Sequence, residues 1–221
     1  MSYRLDFAED VVILVGETER RSVVHKNILC QSSTFFKAAC SGQWLEATER
    51  LVRLPEANVE AFHNYACWLY EGTVELLEED ERSRTIKNYV GKEYIRGGGY
   101  WPRVLSGYVL GDQLGDARYC NALVDNVKRE LVALPVAATV KVFWPVLPSG
   151  CAMRRLLIDL WTMESDPGSF ERYIAVFPTE FVFEAAAAAV RERNLTCKEK
   201  RPGSRPACHY HEHRSEADKC I

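Results

Sequence analysis

No run in this sequence approaches the ~20 consecutive apolar residues that a membrane-crossing helix requires. The longest apolar stretches, Val11–Val15 and Phe181–Val190, are too short or contain Glu184. An excess of charge of one sign is missing too. Against 31 Asp and Glu stand 28 Lys and Arg, a net charge of -3 with a pI near 6.0. That argues against binding nucleic acid through bulk charge, which needs a basic face. Met1–Asp10 holds Asp6, Glu9 and Asp10 and no apolar core, so no secretory signal is read there. The run Gly97-Gly98-Gly99 is read as lacking the strand before it and the helix after it that a phosphate loop needs, so no nucleotide site is expected there. No nucleophile sits in an oxyanion-hole motif, and no internal repeat is visible. These absences leave a non-enzymatic chain with no membrane or nucleic-acid partner, expected in the cytoplasm, the nucleus or both.

What is present is the composition of a globular chain, 47% hydrophobic and 27% charged. Of eight cysteines, Cys30, Cys40, Cys67, Cys120 and Cys151 fall inside apolar periodic segments and read as buried free thiols in a reducing compartment. Val11–Val15 is β-branched and short, which predicts a buried strand ending at Gly16. A polar turn, Glu17–Arg20, leads to a second strand, Arg21–His25. Ile28, Leu29, Phe35, Phe36 and Ala39 mark two short helices, separated by Ser32-Ser33-Thr34 as break and N-cap. Leu51–Leu54 reads as a third strand stopped by Pro55. Asn58 then caps a helix whose apolar stripe is Val59, Phe62, Ala66, Leu69 and Tyr70, and Gly72 ends it.

Residues 75–103 change character. The charge run Glu78–Arg84 reads as a solvated loop in a flexible insertion. Order resumes at Val104–Leu114. Asp116 caps a helix carrying Ala117, Cys120, Leu123, Val124, Val127 and Leu131 on one face, stopped by Pro135. Met153, Leu156, Leu157, Leu160 and Trp161 define another helix. Asp166-Pro167-Gly168 reads as a turn, and Pro178 opens a last helix rich in alanine. A polar tail follows. The fold class is α+β, a small sheet covered by a helical cluster and followed by an α-helical C-terminal extension.

Several segments in register resemble the BTB/POZ family. They are Asp10–Val15, Val24-His25-Lys26-Asn27-Ile28-Leu29, Ser32–Ala38, Val52-Arg53-Leu54-Pro55, Phe62, Trp68-Leu69-Tyr70-Glu71-Gly72 and Tyr108–Leu114. The resemblance covers about 7–132, with a helical extension over 133–195 and a Cys/His-rich tail over 196–221. It makes Asp10, His25, Lys26, Phe35, Phe36, Tyr70 and Gly72 the signature residues, and it implies a small mixed β-sheet. The second half is similar to the fungal subset of BTB proteins, through Phe143-Trp144, the Arg154–Trp161 helix and the tail Cys208-His209-Tyr210-His211-Glu212-His213. Only nine residues precede Asp10, so the resemblance implies the shorter, adaptor-like form rather than a dimer made by exchanging an N-terminal helix and strand. The implied partners are another BTB chain or the cullin scaffold of a ubiquitin ligase.

Four sets of residues carry the functional expectations. Asp10 and His25 form either an acid–base pair or, as the resemblance implies, a structural hydrogen bond. Phe35, Phe36, Phe62, Trp68 and Tyr70 are core by spacing. Trp44, Leu45 and Glu46 resemble the hydrophobic-x-Glu element through which BTB adaptors touch a cullin. An exposed Trp44 would anchor in a partner's pocket; alternatively it folds back on the core. Finally, Cys208, His211, His213 and Cys220 fall within thirteen residues that hold three of the five histidines. They are either the four ligands of a structural Zn²⁺ or a polar tail. No separate substrate-recognition domain is visible. The expected function is a protein-interaction module that oligomerises or serves as an adaptor; the alternative is a homo-oligomeric structural or transcriptional scaffold that meets no cullin.

Overall fold

In the first strand, β1 (Asp10–Val15), Val11, Ile13 and Val15 are at most 1% exposed while Val12 and Leu14 are half-buried, the alternation a pleated strand imposes. The computed structural model describes residues 9–41, 50–82, 85–87, 93–95, 99–130, 132–191 and 202–213. β1 is the centre of a three-stranded sheet of order β2-β1-β3. It pairs antiparallel with β2 (Arg20–His25), Asp10 opposite His25, and parallel with β3 (Leu51–Leu54), Ile13 opposite Val52. The sheet is therefore mixed, in an α+β fold.

The chain divides into two compact units, residues 1–75 with 106–122 and residues 76–105 with 123–221. In the first, α1 (Lys26–Ser32) and α2 (Thr34–Ala39) are separated by Ser33. Its hydroxyl accepts from Phe36 N at 3.1 Å and donates to Leu114 O at 2.6 Å, so the cap is also a tertiary tie. In α3 (Val59–Glu71), Asn58 caps by accepting from Ala61 N at 2.9 Å, and Gly72 stops the helix at φ 73°. A Cβ there would meet nothing within 4 Å, so the left-handed backbone rather than space selects glycine.

The stripe expected on α3 is corrected. Ala61, Phe62, Tyr65 and Trp68 are buried, whereas Val59 and Tyr70 are exposed and Ala66 and Leu69 half-buried. The buried face is rotated because Tyr65 and Trp68 both lie 5.0 Å, ring centre to ring centre, from Tyr119. Two core expectations fail with it: Phe35 is 38% and Tyr70 48% exposed, while Phe36 is fully buried. Cys30, Cys40 and Cys67 are half-buried rather than buried; Cys120 and Cys151 are buried.

The second unit begins at Leu76, two residues before the charge run. Glu79–Arg82 forms a one-turn helix, α4, instead of a loop, and β4 (Thr85–Lys87) pairs antiparallel with β5 (Glu93–Ile95). Ion pairs hold this region. Arg82 lies 3.4 Å from Glu130, and Arg103 lies 3.1 Å from Glu78 and donates to Leu76 O at 2.9 Å. The next helix, α5 (Tyr100–Gln113), starts four residues before the expected Val104, because Tyr100 and Trp101 are themselves core: Tyr100 donates to Asn126 at 2.7 Å and Trp101 to Ala133 O at 2.7 Å. α5 and α6 (Ala117–Arg129) contribute residues to both units.

Three packed helices follow α7 (Ala137–Phe143): α8 (Ala152–Glu164), α9 (Pro167–Tyr173) and α10 (Thr179–Arg191). Asp166-Pro167-Gly168 is a helix start and not a turn. Asp166 accepts from Ser169 N at 2.8 Å, and Pro167 occupies the first turn, where its missing N–H costs nothing. A ladder of rings runs from Trp144 to Phe181 at 4.9 Å, Phe181 to Phe177 at 4.7 Å and Phe177 to Trp161 at 4.8 Å. Among the described residues no helix is long and apolar enough to cross a membrane.

Candidate functional site

The signature residues gather where β2 passes into α1. His25 ends β2 and Lys26 opens α1, and Tyr70 from the last turn of α3 meets His25 there. His25 Nδ1 lies 2.6 Å from the Tyr70 hydroxyl, which also accepts from His25 N at 3.1 Å. Asp10 Oδ1 is 3.8 Å from His25 Nε2, an ion-pair distance and too long for a hydrogen bond. The structural bond expected between Asp10 and His25 is thus made by Tyr70 instead. The tyrosine is exposed because its hydroxyl reaches out to the junction rather than inward. Lys26 pairs with Glu9 at 2.9 Å, and Arg50 with the same carboxylate at 3.4 Å. The hydrogen bond from Lys26 holds the Glu9 carboxyl below the usual range and raises the Lys26 ammonium. Nearby, burial and the Cys40 thiol push Cys30 up to about 12, so it stays a thiol.

Beside this junction lies a cleft of about 270 Å³, lined by Ile28, Gln31, Ser32, Trp68, Leu69, Tyr70, Gly72 and Arg118. Arg118 stands 5.9 Å over the Trp68 ring. The wall beneath is fixed by Asp116, fully buried, whose Oδ2 accepts from the Ser32 and Tyr65 hydroxyls, the latter at 2.9 Å. Its Oδ1 accepts from Tyr119 N at 3.1 Å. One carboxylate thereby ties α1, α3 and α6 together. Burial is the largest cause that raises the Tyr65 and Tyr119 hydroxyls far above the ordinary tyrosine range. The helix-capping role of Asp116 is legible in the sequence; its bonds to Ser32 and Tyr65 are not, since those residues lie 84 and 51 positions away. The cleft offers apolar and hydrogen-bonding surface under one cation, suited to holding a partner side chain. Of the hydroxyls that line it, Ser32 donates to Asp116 and Tyr70 is bonded to His25.

Trp44, Leu45 and Glu46 lie outside the described residues. So does Cys220. Of the tail, Cys208 and His213 are half-buried, and His211 Nε2 is 2.9 Å from Asp125 Oδ1. Among the described residues no three His, Cys, Asp or Glu side chains are grouped so as to hold a metal ion. What organises this end is a different cluster. Tyr210 is fully buried and donates to Asp159 Oδ2, with Arg205 at 3.6 Å and His209 at 3.8 Å from the same oxygen. Glu212 accepts from Ala152 N at 3.1 Å, at the start of α8. Residues 202–213 are thus seated on α8 rather than forming a loose polar tail. The signal available in the sequence was Asp159, a lone acid between Ile158 and Leu160 on an apolar helix. Arg154 is a second such residue: 5% exposed, it lies 4.5 Å over the Trp144 ring and pairs with Glu184 at 3.1 Å.

No curated protein matches the chain. The family model of the BTB/POZ domain matches residues 3–87. Such domains mediate protein–protein interaction and dimerisation and are typically not enzymes. Residues 3–87, which hold the mixed three-stranded sheet and the β2–α1 junction, are thus similar to a BTB/POZ domain, a type of domain that mediates protein–protein interaction.

Proposed function

We propose that the BTB/POZ domain of this chain works as an adaptor, presenting the region around α1, α2 and the segment 42–49 to a cullin-type scaffold in the cytoplasm or nucleus. The observation that carries the reading is the pairing of a BTB match over 3–87 with exposed aromatic side chains, Phe35 and Tyr70, on one domain. Large rigid aromatics at a surface are efficient anchors for a partner. The Trp44-Leu45-Glu46 element supports the same partner by its resemblance to the cullin-contacting pattern. The test is recovery of a cullin with the purified chain, comparing wild type with Glu46→Arg and Trp44→Ala. Loss of recovery on either substitution supports the adaptor role, and equal recovery of all three removes these residues from the contact.

The fungal-type second half and a structural zinc at Cys208, His211, His213 and Cys220 belong to this proposal as well. Zinc binding would require His211 to leave Asp125, so metal and the observed seating compete for one imidazole. One equivalent of zinc after purification without chelators supports the site; zinc at trace level removes it. The second reading, a homo-oligomeric scaffold without a cullin, is favoured by the apolar outer face of α10, where Phe183 is 71% exposed.

A further inference from the structure

Helix α10 is apolar on two faces. Its inner face buries Phe181, Ala185 and Ala188. Its outer face carries Phe183, Ala186, Ala187 and Val190, all exposed, Phe183 at 71% and Val190 at 67%. Their spacing of three, four and seven residues makes one continuous stripe. A solvated helix puts polar side chains there, so a stripe this apolar needs a cover. The two alanines at its middle let another helix approach closely, because nothing longer than a methyl group intervenes.

Two charged residues flank the stripe and say what the cover is. Glu180 and Arg191 are both exposed, the Glu180 side chain at 74% with Arg154 3.9 Å away. Eleven residues separate them, about three helical turns, so they lie on the same flank within about 20° and about 16 Å apart along the axis. When two helices pack antiparallel, like flank meets like flank and start meets end. A second α10 therefore sets its Arg191 against Glu180 and its Glu180 against Arg191, while Phe183 meets Val190 and the alanine pairs meet at the two-fold axis. Parallel packing would leave both charges without a counterpart. The face is self-complementary only in the antiparallel sense, as a two-fold interface requires.

We infer that α10 is a homodimerisation surface, with a second copy of this chain as its occupant, packed antiparallel about an axis between Ala186 and Ala187. This interface lies outside the BTB/POZ match at 3–87 and does not depend on any partner of that domain. One helix pair buries less than the ~1,200 Å² of a standard interface, so the association is expected to be weak and dependent on concentration.

Light scattering of the full chain, up to about 100 µM, tests this. Phe183→Asp is expected to halve the mass at the concentration where wild type is associated; its side chain is exposed, so the circular dichroism should not change. Glu180→Arg and Arg191→Glu should each weaken association on the order of tenfold by setting like charges together. Mixed in equal amounts, these two variants should restore it, since one copy then brings two arginines and the other two glutamates. A monomeric wild type overturns the inference, as does a Phe183→Asp mass equal to wild type, whether the stripe is covered by this chain's own residues or another surface drives association. Failure of the mixture to exceed either variant alone overturns the antiparallel arrangement.

Discussion

Asp116 shows how one buried carboxylate can organise a domain. It accepts from two hydroxyls and a backbone N–H, and each donor belongs to a different segment. Removing an acceptor strands its donors, and a buried unsatisfied donor costs more than the bond it made. Asp116→Ala should therefore lower unfolding free energy by roughly 2–4 kcal/mol. Tyr65→Phe removes one donor and leaves the carboxylate two others, so about 1 kcal/mol is expected. Urea denaturation of both variants measures the difference. Equal losses would mean that the tyrosine and not the carboxylate holds the cluster.

At the scale of elements, the seating of residues 202–213 on α8 is the feature with the clearest consequence. Tyr210 fills the contact with its ring and closes it with its hydroxyl on Asp159, while Lys128 stands 5.8 Å over the ring. Truncating a buried aromatic costs about 3 kcal/mol or more. Tyr210→Ala should therefore release the segment and expose Arg205, whose side chain is 8% exposed when seated. Hydrogen–deuterium exchange followed by mass spectrometry checks this. The amides of 202–213 should exchange slowly in wild type and fast in the variant, and an unchanged rate would show that Arg205 and Glu212 hold the segment without the ring.

Across the whole molecule, buried tyrosines set the alkaline limit. Tyr65 and Tyr119 in one unit, and Tyr100 and Tyr210 in the other, are all raised far above the ordinary value, chiefly by burial. The unfolded chain releases these protons near pH 10 and the folded chain does not. The stability they lend is thus complete below about pH 10 and falls as pH rises beyond it, by about 1.4 kcal/mol per pH unit for each group. Urea midpoints should hold steady from pH 8 to 9 and drop steeply towards pH 11.

The sequence by itself determined the order of strands and helices through 72, the caps at Ser33, Asn58 and Asp116, and the stop at Gly72. These follow from local rules: β-branched runs, side chains that bond their own backbone, and a glycine free to turn left-handed. Only the tertiary structure decided which face of α3 is core, because Tyr65 and Trp68 turn inward to meet Tyr119, 54 and 51 positions further along. It also decided that Tyr70 serves His25 from the surface, and that Asp116 and Asp159 each collect partners from distant segments. Periodicity reports that a helix has an apolar side; it cannot say which aromatic ring another element will offer it, since that contact is made between residues far apart in the chain.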